Sequence, residues 1–300
     1  MRSRLSLIAK ASALAVTAAL TLSACGGAGG ASPAAGTADD PIRIGVVNAE
    51  EPERRLLQDA ARAEGIYIEW VNFSDFQLPN MALADGDLEL NQFQHLQFLA
   101  NFNVNTNNDL TPIGATAVFP LGLYSLRHST VVDIPEGAEI AIPNDPTNQA
   151  RALMVLQAAG LLALRDGGNS LSTPADIITA ESRVTVIPVE AAQTAISLFD
   201  IDGSVVNNSM IAQVGLSLED AIFADDPDSP EAEPFINVWV ARAEDASNPT
   251  YARLVELLQT TPEVIDSIVE VSAGTAAIRN NSAADLQRIL GEIETNLRNQ

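Results

Sequence analysis

From residue 41 onward, short runs of aliphatic and β-branched residues alternate with segments whose apolar residues recur every three or four positions. The stretch IRIGVV precedes the helical pattern of EEPERRLLQDAARAEG, and IYIEWVNF follows as the next short apolar run. This alternation is typical of a mostly parallel sheet that is covered by helices. The first part of the chain therefore predicts an α/β fold.

The same alternation begins again after residue 125, with EIAIPND, RVTVIPVE and GSVVN as strands and two helical patterns between them. The later strand FINVWVAR is rich in β-formers and long enough to return to the first lobe, and three helical stretches follow it. We therefore predict two α/β lobes, residues 41–122 with 236–300 and residues 123–235, and a ligand cleft between them.

The N-terminus carries three basic residues ahead of the apolar run Ala11 to Leu22, which is the pattern of an export signal. The run is short for a bilayer span of about 20 apolar residues. Its end, LSAC, resembles the lipobox of bacterial lipoproteins, which implies removal of residues 1–24 and lipidation and acylation of Cys25. The alternative is a free thiol behind an ordinary signal peptide. Residues 25–40 read as a flexible tether, so we expect an extracytoplasmic protein anchored to the cell membrane.

Composition narrows the classes of function. The chain has 16 basic and 39 acidic residues and a net charge of −23, which disfavours nucleic acid as a partner. A single cysteine allows no intramolecular disulfide, and two histidines supply a transition-metal site poorly. No G-x-S-x-G, H-E-x-x-H or calcium-loop motif is present, so we expect no enzyme, no metal and no cofactor. The acidic stretch ADDPDSPEAE reads as a solvated loop, and we expect a monomer.

One candidate anion site lies in AIPNDPTNQAR. Asp145 suits the N-cap of a helix and Pro146 suits its first position. The free amides of a helix start favour an anion, and Arg151 offers a planar fork of donors that matches a carboxylate. The alternative is that Arg151 is an exposed surface residue.

A second candidate site is the aromatic stretch NQFQHLQFLANF. A helical reading places His95, Phe98 and Phe102 on one face. That face is either part of the core or the wall of a pocket. Together with Phe76 and Phe93 it would form an apolar pocket with one polar edge, which suits a thioether because sulfur contacts aromatic rings favourably.

Polar residues at strand ends complete the candidates. Asn207 and Asn237 are amides in apolar strands, where an unpaired polar group is costly. Their partners are either neighbouring backbone groups or the ammonium and carboxylate of an amino acid. Glu190 either balances the positive charge of a ligand or is an exposed carboxylate at a helix start.

Several of these blocks, FSDFQLPNMALADGDLELNQFQHLQFL, PNDPTNQAR, GSVVNN and FINVWVARAED, resemble the methionine-binding lipoprotein family, the substrate-binding components of methionine ABC importers. The resemblance runs from about residue 42 to the last helices. It implies a two-lobed periplasmic-binding-protein fold in which the aromatic residues surround the thioether, Arg151 holds the α-carboxylate, and Asn207 and Asn237 fix the polar end. The residues expected to bind the ligand are Phe76, Phe93, His95, Phe98, Asn148, Arg151, Glu190, Asn207 and Asn237.

The sequence also departs from that family. Members often have tyrosine where this chain has Phe76 and Phe98, and an aromatic residue is usual at Met210. L-methionine is the favoured ligand, while D-methionine, a methionyl dipeptide, another amino acid or thioether, and a non-transport surface lipoprotein remain alternatives. The expected partner is an ABC permease, with hinges near residues 122–125 and 234–237.

Overall fold

Strand β1 (Ile42–Val47) is buried along its length except at the half-buried Arg43, as expected for a mainly apolar strand covered on both faces. It pairs in parallel with β2 (Ile68–Phe73) and β3 (Leu90–His95). In the computed structural model, which describes residues 36–299, two more strands complete this sheet: β4 (Thr111–Ala115) and β11 (Asn237–Ala241). Its order is β2-β1-β3-β11-β4, with β11 antiparallel to both neighbours.

A second five-stranded sheet is built from the middle of the chain. Strand β7 (Ala138–Pro143) pairs in parallel with β8 (Val184–Val189) and β9 (Gly203–Val206). The antiparallel strands β6 (Gly122–Tyr124) and β10 (Phe223–Ala224) extend it, so that the order is β10-β6-β9-β7-β8. A short antiparallel pair joins β5 (Ala117–Val118) to β12 (Ala277–Ile278).

The helices cover both sheets. Helix α1 begins with a proline at its first position and ends before Gly65, whose φ of +79° suits a residue without a Cβ. The α-helices of the described residues are α1 (Pro52–Ala63), α2 (Leu78–Ala84), α3 (Leu96–Thr106), α4 (Pro146–Ala158), α5 (Ala191–Ser197), α6 (Asn208–Ile211), α7 (Pro249–Thr260), α8 (Pro262–Val271) and α9 (Ala283–Arg298).

Apolar side chains fill the space between helices and sheets. Helices α2, α3 and α9 pack on one face of the first sheet, and α1, α7 and α8 pack on the other. Helix α4 supplies much of the core of the second sheet. A further cluster joins Phe76 and Val47 to Tyr124 and Met210, so it connects elements of both sheets.

The predicted return of FINVWVAR to the first sheet is confirmed, since β11 lies between β3 and β4. Each sheet is mixed, because antiparallel strands flank a parallel core. All described residues belong to one compact unit, and the lobe boundaries given above stay a prediction. Within residues 36–299, no helix has the length and apolar character needed to cross a membrane. The predicted signal peptide, Cys25 and most of the tether lie outside the described residues.

The helical reading of NQFQHLQFLANF is wrong in its first half. Asn91 to His95 belong to β3, and the helix begins only at Leu96. Pairing of β3 with β1 and β11 in the middle of the sheet makes residues 91–95 a strand, while His95, Phe98 and Phe102, whose spacing is helical, lie at the N-cap of α3 and within it. Phe102 packs with the core of the first sheet, and Phe98 packs in the cluster that joins both sheets.

Candidate functional site

A cavity of about 90 Å³ lies between elements of the two sheets. Its lining includes three phenylalanines from the side of the first sheet and polar residues from the elements of both sheets. Of the predicted ligand-binding residues, Phe76, Phe93, His95, Phe98, Asn148, Arg151, Asn207 and Asn237 all line it. The tertiary structure thus brings together side chains that come from five separate parts of the sequence.

Three phenylalanines form one wall of the cavity. The ring of Phe93 lies 6.2 Å from that of Phe76 in a stacked arrangement and 5.8 Å from that of Phe98, edge to face. Phe76 and Phe98 also meet edge to face, at 6.3 Å. These separations are those of favourable aromatic pairs. The three rings therefore form a rigid apolar surface that suits a flexible uncharged side chain.

A β-bulge lies in the strand that carries part of this wall. Val238 and Val240 of β11 lie opposite Gln94 and Asn91 of β3, so β3 has one extra residue in this interval. Consecutive residues of a regular strand point to opposite faces, yet Gln92 and Phe93 both line the cavity. All residues from Gln92 to His95 line the cavity, so the bulge lies in the part of β3 beside the ligand space, a position common for bulges near functional sites.

Buried amides hold this strand in place. Asn80 donates to Gln94 Oε1 at 2.7 Å and accepts from Asn91 Nδ2 at 2.8 Å and from Gln94 Nε2 at 2.6 Å. All three residues are buried. Because they satisfy one another, they can lie in an apolar interior without the cost of an unpaired polar group. Two of the polar residues in NQFQH are thus structural supports.

His95 marks the end of β3 and the N-cap of α3. Its Nδ1 accepts the Phe98 N–H at 3.1 Å, so the proton of the neutral ring lies on Nε2. Nε2 is 3.3 Å from Asn148 Oδ1 and donates to it. Burial, together with the nearby charge of Arg151, lowers the pKa of His95 to about 3. His95 is therefore neutral at pH 7 and acts as a fixed hydrogen-bond donor.

The polar wall is organised by Asn148. Its Oδ1 accepts from His95 and also from Asn207 Nδ2 at 3.0 Å, while its Nδ2 donates to Asp145. Asn207 Oδ1 is buried and accepts no hydrogen bond from any residue between 36 and 299. Because an unpaired buried acceptor is costly, this atom is suited to a ligand that brings an N–H donor, such as an ammonium group.

Arg151 is buried, so the alternative of an exposed surface residue is wrong. Its Nε and Nη2 donate to the two carboxylate oxygens of Asp225 at 2.7 and 3.1 Å. Nη2 also donates to the Phe119 carbonyl at 2.9 Å. The planar fork expected to grip a ligand carboxylate is therefore occupied by Asp225. This pair also corrects the reading of the acidic loop, because its Asp225 side chain forms an ion pair with a buried arginine.

The start of α4 is capped as predicted. Asp145 accepts the Asn148 N–H at 2.9 Å and the Thr147 hydroxyl at 3.0 Å, and Pro146 has no N–H to offer. Burial raises the pKa of Asp145, and its hydrogen bonds oppose that shift. The protein's own carboxylate thus occupies the anion position that the free helix amides suggested.

Asn237 and Glu190 differ in their relation to the cavity. Asn237 lines it, and its Nδ2 donates to the Phe235 carbonyl at 3.3 Å, which supplies the backbone partner expected as one alternative. Glu190 is exposed, and it accepts the Ala192 N–H at 3.1 Å as the N-cap of α5. The structure therefore does not bring Glu190 together with the other predicted residues.

Sequence reasoning missed several charged residues beside the cavity. Arg54 is buried, donates to Gln92 Oε1 at 2.6 Å and pairs with Glu51 at 3.1 Å. Burial raises the pKa of Glu51 to about 8, although Arg54 opposes this shift. Charged residues in the first turn of a helix usually face water, so EEPERR gave no signal of burial. In the described part of the chain, no cluster of three or more His, Cys, Asp or Glu residues is arranged to hold a metal.

Two mixed sheets with a cavity between their elements, apolar on one side and polar on the other, define the class of two-lobed periplasmic substrate-binding proteins. Solved structures of that class share this fold. The substrate-binding protein of a methionine transporter from Streptococcus pneumoniae is 34% identical, with a TM-score of 0.73 and coverage of 80% of this chain and 95% of that one. A nutrient-binding protein from Burkholderia cenocepacia bound to methionine is 32% identical, with a TM-score of 0.73 and coverage of 79% and 99%.

The family model for the NlpA lipoproteins matches residues 42–279. The D-methionine-binding lipoprotein MetQ of Salmonella typhi is 34% identical over 240 residues, which are 78% of this chain and 87% of that protein. The chain belongs to the NlpA lipoprotein family. This membership confirms the resemblance seen in the sequence and the prediction of a binding protein rather than an enzyme.

Proposed function

We propose that this protein is the lipid-anchored binding component of an ABC importer and that it captures methionine between its two lobes. Cys25 would carry the lipid, so the protein would work outside the cytoplasm beside a membrane permease. The methionine-related names of several relatives support this ligand. The lobes would close on the ligand by rotation about the predicted hinges near residues 122–125 and 234–237.

The observation that carries the proposal is the division of the cavity into two chemically different walls. Three phenylalanine rings offer an apolar surface on one side. Across from them, Arg151 supplies a positive charge and Asn207 Oδ1 an unpaired acceptor. A zwitterionic amino acid with a flexible, uncharged thioether side chain matches this arrangement at both ends.

In this proposal each residue has a distinct role. Phe76, Phe93 and Phe98 contact the side chain, where sulfur gains about 0.3–1.5 kcal/mol from each aromatic contact. Arg151 attracts the carboxylate, and Asn207 Oδ1 accepts from the ammonium. His95 holds Asn148 and, through it, the orientation of the Asn207 amide. No covalent step is involved.

Phe76 and Phe98 stand where members of the family often have tyrosine, and this difference bears on ligand preference. Phenylalanine at positions 76 and 98 leaves the aromatic wall without a hydrogen-bonding group of its own, so this wall selects by shape and polarizability. We expect L-methionine to bind best. The polar groups that would distinguish it from D-methionine or from a dipeptide lie on the opposite wall.

The test is calorimetric titration of the full chain in detergent, after unfolding and refolding to remove any copurified ligand. L-methionine, D-methionine and glycyl-methionine are compared. We expect saturable binding of L-methionine that is tighter than binding of the other two. Absence of heat with all three ligands would refute the proposal.

A matched ligand tests the ammonium contact. Replacing Asn207 by alanine should weaken methionine binding by about 10-fold, because it removes one hydrogen bond to a charged group. Binding of the analogue 4-methylthiobutanoate, which lacks the amino group, should change little. Equal weakening of both ligands would contradict the role given to Asn207.

A further inference from the structure

The contacts of Arg151 within residues 36–299 use two of its three nitrogens. Nε and Nη2 donate to Asp225, and Nη2 also donates to the Phe119 carbonyl. Nη1 makes no hydrogen bond to any residue in the range 36–299, and Arg151 lines the cavity. The surface that Arg151 offers to a ligand is therefore its Nη1 group.

Asp225 lies on the other side of the guanidinium. It is absent from the described residues that line the cavity, while its partner Arg151 is among them. Its Oδ1 also accepts the Leu121 N–H at 2.7 Å, and its own N–H donates to the Leu121 carbonyl at 3.4 Å. This pairing continues the β6–β10 ladder, so the backbone of the second sheet fixes the position of the carboxylate.

A stacking contact fixes the plane of the guanidinium. The Phe235 ring lies 4.2 Å from Arg151 Cζ, within the range of a cation–π contact. The bidentate bond to Asp225 and this ring leave the guanidinium little freedom to rotate. A donor that is already ordered loses less conformational entropy when it binds a ligand.

The charges of the pair also matter. Only 5% of the Arg151 side chain is exposed, and a buried arginine without a counterion would be strongly unfavourable. Asp225 cancels its charge, so the pair is neutral overall. A neutral site with one directed donor matches a zwitterion, whose own charges cancel, better than a ligand with net negative charge.

We infer that Asp225 is a positioning residue for ligand binding: it holds Arg151 so that Nη1 alone meets the ligand carboxylate. This inference rests on the proposed function. It replaces the bidentate grip expected from the sequence with a single directed contact. It also gives a site role to an acidic loop residue whose composition suggested only a solvated surface.

The test compares L-methionine with L-methioninol, which lacks the carboxylate, in calorimetric titrations of the full chain. In Asp225→Asn, methionine binding should weaken by about 10-fold, the effect of one hydrogen bond to a charged group, because Arg151 loses its alignment. Methioninol binding should stay within about 2-fold, since it makes no such contact. The affinity for methionine divided by the affinity for methioninol should therefore decrease by roughly 5-fold or more.

A purely structural role would weaken both ligands equally and leave the ratio unchanged, and that result would overturn the inference. A larger ratio would also overturn it, because it would show that Asp225 competes with the ligand for Arg151. If Asp225→Asn does not fold, Asp225→Glu decides in its place. It keeps the charge but moves the carboxylate by one methylene, so the ratio should again narrow, and an unchanged ratio counts against the inference.

Asp228→Asn is the matched control. Asp228 lies in the same loop, is 76% exposed in its side chain and pairs with Arg279. Its replacement should leave the ratio of affinities unchanged. Failure of the wild-type protein to bind methionine would refute the proposed function itself, whereas normal wild-type binding with unaltered ratios in the Asp225 variants would refute only the role of Asp225.

Discussion

The two walls of the cavity are built by different physical means. The aromatic wall consists of phenylalanine side chains that pack against one another, and these side chains carry no hydrogen-bonding group. The polar wall is a chain of directed bonds that runs from Asp145 through Asn148 to His95 and Asn207, with the Arg151–Asp225 pair beside it.

This difference indicates how each wall should respond to change. The free energy of apolar contacts depends on area and shape, so it decreases gradually as atoms are removed. Directed bonds between buried polar groups depend on every partner, because loss of one leaves another unsatisfied. Substitutions in the polar wall should therefore have larger effects on binding than substitutions of similar size in the aromatic wall.

The largest effect is expected for Arg151→Ala. It removes the cation facing the cavity and leaves Asp225 without its partner, so methionine affinity should fall by about 100-fold. Calorimetric titration measures the change. Arg288→Ala, at an exposed position on α9, is the control and should bind as the wild type does. If Arg151→Ala lowered methionine affinity by less than about 3-fold, the polar wall would not contribute to ligand binding.

A smaller effect is expected for Phe93→Leu. The substitution keeps an apolar side chain but removes the ring, so methionine should lose about 3- to 10-fold in affinity, as one sulfur–aromatic contact predicts. Norleucine, which has a methylene in place of sulfur, should lose less. Phe199→Leu is the control, because Phe199 is 61% exposed and outside the cavity lining. Equal losses for both ligands in Phe93→Leu would show that the wall does not recognise sulfur.

The pH dependence of stability tests the bond between His95 and Asn148 within the polar wall. His95 has a lowered pKa in the folded state, so below its unfolded value of about 6.5 the unfolded chain binds a proton that the folded chain does not. The contribution of a neutral His95 is therefore complete above that pH and is lost progressively toward pH 3.

His95→Asn removes this titration but keeps an N-cap acceptor for α3. The difference in unfolding free energy between wild type and variant should fall by at most about 1.4 kcal/mol per pH unit below pH 6.5. Urea unfolding at several pH values measures it. If this difference in unfolding free energy stayed constant with pH, His95 would titrate alike in the folded and unfolded states, which would contradict the prediction.

The smallest effect is expected for Glu190→Gln. The side chain caps α5 and lies outside the cavity, so methionine affinity should remain within about 2-fold of the wild type. The same titration measures it. A loss comparable to that of Arg151→Ala would place Glu190 in the site and would break the division into two walls.

Local pattern in the sequence determined much of this fold. The alternation of strand and helix patterns follows from which residues repeat every two or every 3.6 positions, and the observed elements match it closely. The start of α4 was equally predictable, because Asp145 and Pro146 act through contacts with residues only a few positions away. The blocks that resemble the methionine-binding lipoproteins supplied the residues for eight positions of the cavity lining.

Other features depended on the tertiary structure. Segment NQFQH is included in a helical interpretation that rests on His95, Phe98 and Phe102, yet it is a bulged strand because two neighbouring strands pair with it. The Arg54 and Glu51 side chains lie beside the cavity although nothing in their local sequence distinguishes them from a solvated helix start.

By itself, then, the sequence determined the α/β class, the order of the elements and the chemical types of residue available for a site. Only the tertiary structure decided which of them meet: Asn148 contacts residues 53 and 59 positions away, and Arg151 pairs with a residue 74 positions away. The physical reason is that periodicity and capping are local interactions, whereas the partner of a buried polar group is set by how whole sheets and crossings pack.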